Sequence, residues 1–121
     1  DAEENRQVSS IDDIRILQQA VFALTNSVSA DNGDAAATLL VSSSSHTQLW
    51  ATPLSQARAV TLSTTGAVNG SRFRIVRTAA ATGAFNLNVG TGPLKAMGTA
   101  GSFCEVEFDG SAWFLSAYGL L

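Results

Sequence analysis

The fold class predicted from the sequence is mainly β: an antiparallel sandwich or barrel preceded by a short N-terminal helix. Three observations predict it. From residue 37 onward, strand-like segments recur about every 8 to 12 residues, separated by clusters of Gly, Ser, Thr and Asn. Several of those segments alternate apolar and polar side chains with a period of two, the mark of a half-buried strand. Before them, residues 11–26 contain neither Gly nor Pro and carry apolar side chains at helical spacing.

The elements follow in chain order. Residues 1–8 form a largely polar arm. Ser10 is placed to cap a helix, with Asp13 three residues on, and Asp12 and Asp13 put negative charge where the helix dipole favours it. Ile14, Leu17, Val21, Leu24 and Val28 are spaced alternately three and four residues apart, a heptad seam about two heptads long. A helix this short is marginal in water by itself, so it must pack on something. Ile16 and Phe22 widen the apolar face. The seam suits a short oligomeric bundle, or a helix lying on its own β-domain. Residues 29–34 read as a linker or turn. They divide residues 1–34, an attachment or oligomerisation segment, from a β-domain at 35–121.

Strands are expected at 37–42, 47–51, 57–63, 71–78, 84–89, 94–97, 102–108 and 111–118. Phe73 and Ile75 oppose Arg72 and Arg74 across their strand, and Phe85, Leu87 and Val89 alternate with Asn86 and Asn88. Asp109-Gly110 signals a two-residue type I′ turn. That turn would pair Phe108 with Ser111, Val106 with Trp113 and Cys104 with Leu115. One face of the hairpin then carries Cys104, Val106, Phe108, Trp113 and Leu115. The other carries Glu105, Glu107, Ala112, Phe114 and Ser116, with Phe103 beside them. So mixed a face is expected to meet a neighbouring subunit or sheet.

The length of 121 residues suits one domain. Charged residues are only 14% of the chain, against about a quarter in an ordinary soluble domain, while 45% are hydrophobic. The exterior must therefore be uncharged and polar, or be covered by a partner. A net charge of −3 argues against nucleic acid as the main partner. No apolar run approaches the length of a membrane-spanning helix.

Residues able to carry chemistry are few. Cys104 is the sole cysteine, so no disulfide forms within the chain, and its place on an apolar face makes it a small buried hydrophobe. His46 stands alone in a Ser/Thr-rich stretch and reads as a surface or interface histidine, without the ligand cluster of a metal site. Glu105 and Glu107 share a strand face, as paired carboxylates of glycosidases can. Arg72, Arg74 and Arg77 offer them ion-pair partners, and a cross-strand or intersubunit ladder is the favoured reading. The glycines open no helix after a strand, so no phosphate-binding loop is formed. No catalytic, metal-binding or cofactor-binding residue is predicted, and the chain reads as non-enzymatic.

Two stretches carry a family resemblance: residues 59–78, AVTLSTTGAVNGSRFRIVRT, followed by FNLNVG at 85–90, and the ending EVEFDGSAWFLSAYG at 105–119. They resemble β-domains of tailed-bacteriophage virion proteins, and the ending is similar to the closing hairpin of small head-decoration or fibre domains. The resemblance implies a virion structural protein, usually a homotrimer, and carries no catalytic motif. The expected function is capsid decoration or a head fibre bound to the outer capsid surface, with the major capsid protein or another virion protein as partner. The expected oligomer interface comprises Ile14, Leu17, Val21, Leu24, Val28, Glu105, Glu107 and Phe114. The alternative is the receptor-binding tip of a tail fibre or tailspike, with Trp50, Trp113 and Tyr118 as aromatics for a host glycan.

Overall fold

The structure, a computed structural model, describes residues 27–121. The predicted capping residues and the seam positions Ile14, Leu17, Val21 and Leu24 lie outside the described residues. Nine strands are present among those described: β1 (Val28–Asp31), β2 (Ala37–Leu39), β3 (Thr47–Trp50), β4 (Arg58–Leu62), β5 (Arg72–Arg77), β6 (Leu87–Val89), β7 (Lys95–Met97), β8 (Ser102–Phe108) and β9 (Trp113–Leu120). Val28, expected at the end of the helical seam, instead opens β1 and pairs with Thr47. The stretch read as a linker thus begins as a strand.

The strands form two mixed sheets, ordered β1-β3-β5-β8-β9 and β2-β4-β6-β7. The sequence led one to expect all-antiparallel pairing, but the pairing is parallel over β1 to β6. From β1 to β6 the chain alternates between the sheets, and each strand runs parallel to the one laid down a turn earlier. Ala37, Val60 and Val89 line up across the second sheet, and Val28, Thr47 and Arg74 across the first. The chain winds as a coil whose turns differ in length. Only the last part, β6-β7 and β5-β8-β9, folds back antiparallel. Turn clusters marked most of the later corners, but a Gly- or Ser-rich corner carries the chain to the other sheet as readily as back along the same one.

Both sheets feed one core. Trp50, Phe73, Ile75, Cys104 and Val106 come from the first sheet, and Leu39, Val60, Leu87, Val89 and Met97 from the second. Period-two patterning put them there, since Phe73 and Ile75 point inward while Arg72 and Arg74 point out. Trp50, read from sequence as an exposed aromatic, is 0% exposed, and its indole Nε1 donates to the Ala35 carbonyl at 3.0 Å. That single polar atom is satisfied by backbone, so the whole ring can be buried.

Polar staples hold the corners. Asp31 accepts from the amides of Gly33 and Ala51, each at 2.8 Å, and from the Thr52 hydroxyl at 2.6 Å. Asp34 accepts from Arg58 Nε at 2.9 Å and from the amide and hydroxyl of Ser55. The Arg58 bond, with those from Ser55, lowers the Asp34 carboxyl to about 2.

The closing hairpin differs in register from the expected one. Trp113 pairs with Phe108, and Val106 with Leu115. The turn spans 109–112. Asp109 turns its carboxylate onto the amides of Ser111 and Ala112, both at 2.8 Å. A type I′ turn would need positive φ at Asp109 as well as Gly110, and no residue other than glycine adopts it here. The pairing slips by two residues, so the faces survive: Cys104, Val106 and Phe108 are buried, and Phe114 lies on the opposite face. Ser116 is an extra residue in β9, a bulge between the pairs Val106–Leu115 and Glu105–Ala117. Beyond it the parity reverses, and Tyr118 and Leu120 turn toward the inner side, opposite Cys104 and Ser102.

Candidate functional site

The outer face of the first sheet is built as rows across strands. One row is Leu49, Val76, Phe103 and Gly119. It is apolar, and the Phe103 ring lies so close that a Cβ on Gly119 would come within 3.2 Å of it. The next row is Thr47, Arg74, Glu105 and Ala117, and beyond it Arg72, Glu107 and Phe114. Arg72 Nη2 is 3.6 Å from Glu107 Oε1, and Arg74 Nε is 4.0 Å from Glu105 Oε1. The Arg74 guanidinium also sits 4.9 Å from the centre of the Phe103 ring. Each carboxylate on β8 therefore faces an arginine on β5. Glu105, Glu107 and Phe114, expected at an interface, share this one face.

His46 stands at the edge of this surface. Its carbonyl accepts from the Arg74 amide at 2.8 Å. Burial, helped by the cations of Arg72 and Arg74 and opposed by Glu105, pulls the imidazole below its ordinary pKa. It borders a cleft of about 80 Å³ shared with Arg72, Glu105, Glu107 and Ser116. Among the described residues no cluster of His, Cys, Asp or Glu is placed to hold a metal ion. No helix there is long and apolar enough to cross a membrane.

Arg77 is not on this face. Expected to pair with a glutamate, it is 0% exposed in the core. Its Nε donates to the Ala81 carbonyl at 2.8 Å, Nη1 to Phe85 at 2.8 Å and Met97 at 2.7 Å, and Nη2 to Gly83 at 3.1 Å. The reason is parity: position 77 shares the inward face with Phe73 and Ile75. The guanidinium fork fits several carbonyls at once, which an ammonium could not match. Arg77 thereby ties the loop after β5 to β7. Cys104 is buried as well; burial pushes its thiol up to about 12, and its Sγ lies 3.7 Å from Met97 Sδ.

A second feature escaped the sequence reading. Among the described residues the first sheet has five strands and the second four. The C-terminal half of β9 has little above it: Tyr118 is 62% exposed, Leu120 74% and Leu121 63%. Lys95 of β7 reaches across, its Nζ 4.1 Å from the centre of the Tyr118 ring. A groove of about 270 Å³ runs beneath, lined by Lys95, Met97, Ser102, Tyr118 and Leu120 among others. The signal available was the uncharged, Pro-free run from Trp113 to Leu121. The bulge that reverses its parity had no such mark.

Comparison with protein-family models, with curated proteins and with solved structures finds no match.

Proposed function

We propose that this chain is a structural component of a tailed-bacteriophage virion, a capsid-decoration or head-fibre protein that binds the outer capsid surface as an oligomer. In this reading the two sheets act as the layers of a sandwich presented on the particle, with the segment before Ser27 serving attachment. One observation carries it. The edge strand β9 has eight residues, no charge, and Phe114, Tyr118 and Leu120 exposed. Free sheet edges are normally blunted by charge, Pro or shortness, and a long uncharged apolar edge is a surface made to be covered. Symmetric repetition on a particle multiplies a modest interface into firm attachment.

Glu105 and Glu107 each face an arginine, which suits the ion-pair ladder better than a pair of catalytic carboxylates. The receptor-binding alternative retains Tyr118, because Trp50 is in the core and Trp113 packs against Phe73 and Phe108. Electron microscopy of particles carrying a labelled chain tests the proposal. Density at capsid symmetry positions is expected. Density at a fibre tip, or none on the particle, refutes it.

A further inference from the structure

We infer that the uncovered half of β9 and the free edge of β7 form one self-complementary interface, filled by the same two strands of a second copy of this chain. The inference rests on the oligomeric reading above, taken with two-fold pairing in place of the homotrimer that the resemblance implies, and names the surface that would carry it.

The geometry is a step of one strand. Across the core β8 faces β7, as the 3.7 Å approach of Cys104 to Met97 shows. The second sheet ends at β7, while the first continues to β9. Tyr118 and Leu120 pair with the buried residues Cys104 and Ser102 and point to the inner side, yet they stay exposed. Among the described residues no strand lies on the outer side of β7, and an extended strand there with an apolar face turned toward β9 would complete the layer. Strand addition at a free edge supplies backbone hydrogen bonds, and alternate side chains supply specificity.

Lys95 decides which strand fits. An inward-pointing lysine on an edge strand discourages casual strand addition. An incoming strand must carry no cation of its own and must suit an ammonium that already stacks on the Tyr118 ring of its own copy. β9 meets both conditions. It is uncharged from Trp113 to Leu121, and it brings Tyr118, the kind of ring that Lys95 already stacks on at 4.1 Å. The overhang of one strand matches the gap of one strand. A two-fold axis therefore sets the partner's β9 beside β7 and the partner's β7 beside β9. Each sheet of one copy then runs on into the other sheet of its partner, an isologous contact in which both copies use the same patch.

The test is hydrogen exchange on the full chain at low and high protein concentration, with native mass spectrometry for the number of copies. Raising the concentration is expected to slow the amides of β7 and β9 about tenfold or more, and to leave those of β1 unchanged. Leu120→Lys and Tyr118→Asp should abolish that protection with the circular dichroism spectrum retained, while Phe114→Lys, on the opposite face, should not. Exchange in β7 and β9 that ignores concentration in a chain that still assembles refutes this interface and leaves the oligomeric reading standing. A chain that is monomeric at every concentration refutes both.

Discussion

Arg77 and its neighbours Arg72 and Arg74 lie on one strand and live in different media. Arg72 and Arg74 point outward, 60% and 40% exposed along their side chains, and face glutamates at 3.6 and 4.0 Å. Arg77 points inward, fully buried, and is held by four backbone carbonyls without a carboxylate. The difference teaches that residue type does not predict the partner of an arginine here. The side of the sheet does. On the outside, water screens the ion pair and leaves it little net value. On the inside, every donor must find an acceptor, so the chain has wrapped a loop around the guanidinium.

That contrast can be broken most sharply at Arg77. Arg77→Leu strips four carbonyls of their donors, and unfolding in urea should show a loss of at least about 3 kcal/mol. Arg77→Lys should recover only part of it, because an ammonium cannot span the same fork. A loss under about 1 kcal/mol for both variants would show that the loop does not depend on Arg77.

The loop itself offers the next test. Gly83, whose carbonyl accepts from Arg77, has φ +120°, and a Cβ there would meet the Leu54 carbonyl oxygen at 2.7 Å. Gly83→Ala should cost about 1–3 kcal/mol, read from the shift of the thermal midpoint. Gly66→Ala, where a Cβ meets open space and φ is +73°, gives for comparison the cost of an ordinary left-handed backbone without a clash.

Acid probes the polar staples. Asp34 titrates at about 2 in the fold and near 3.8 when free, held down first by Arg58 and then by Ser55. Asp31 and Asp109 shift in the same direction through their own hydrogen bonds, led by Thr52 and the Ala112 amide respectively. A depressed carboxyl lends stability that is complete above its unfolded pKa and vanishes as pH falls through the folded value. Stability measured by denaturant titration should thus decline from about pH 4 towards pH 2, and Asp34→Asn should flatten that slope. A slope unchanged in the variant would remove Asp34 from the account.

The smallest effect belongs to the outer ladder. Arg72→Ala should change stability by less than about 1 kcal/mol, and the coupling with Glu107→Ala in a double-mutant cycle should fall further in high salt. A coupling of several kcal/mol in the isolated chain would mean that this pair is far better shielded than its exposure indicates.

Much of the local structure was legible. Alternation in 71–78 separated Phe73 and Ile75 from Arg72 and Arg74, and the strand at 102–108 matches Ser102–Phe108. The same alternation, carried two positions further, would have put Arg77 inside, but a cation invites a surface reading. The expected turn at Asp109-Gly110 identified the hairpin and missed its register, because the Asp109 carboxylate takes two amides and lengthens the turn. The outer surface of Glu105, Glu107 and Phe114 was visible as a face, whereas the overhang of β9 was not.

What residue order settled is the short-range part: which side chains alternate, where corners fall, and which face of each strand is apolar. Those properties depend on backbone sterics and on neighbours two or three residues away. Which strands lie side by side was decided only when the chain closed on itself. β3 takes β1 and β5 as parallel neighbours through backbone hydrogen bonds that every residue type can make, so no side chain announces them. The one-strand step between the sheets has the same origin. It is a count of strands in each sheet among the described residues, and it became a surface feature only once both sheets fed one core.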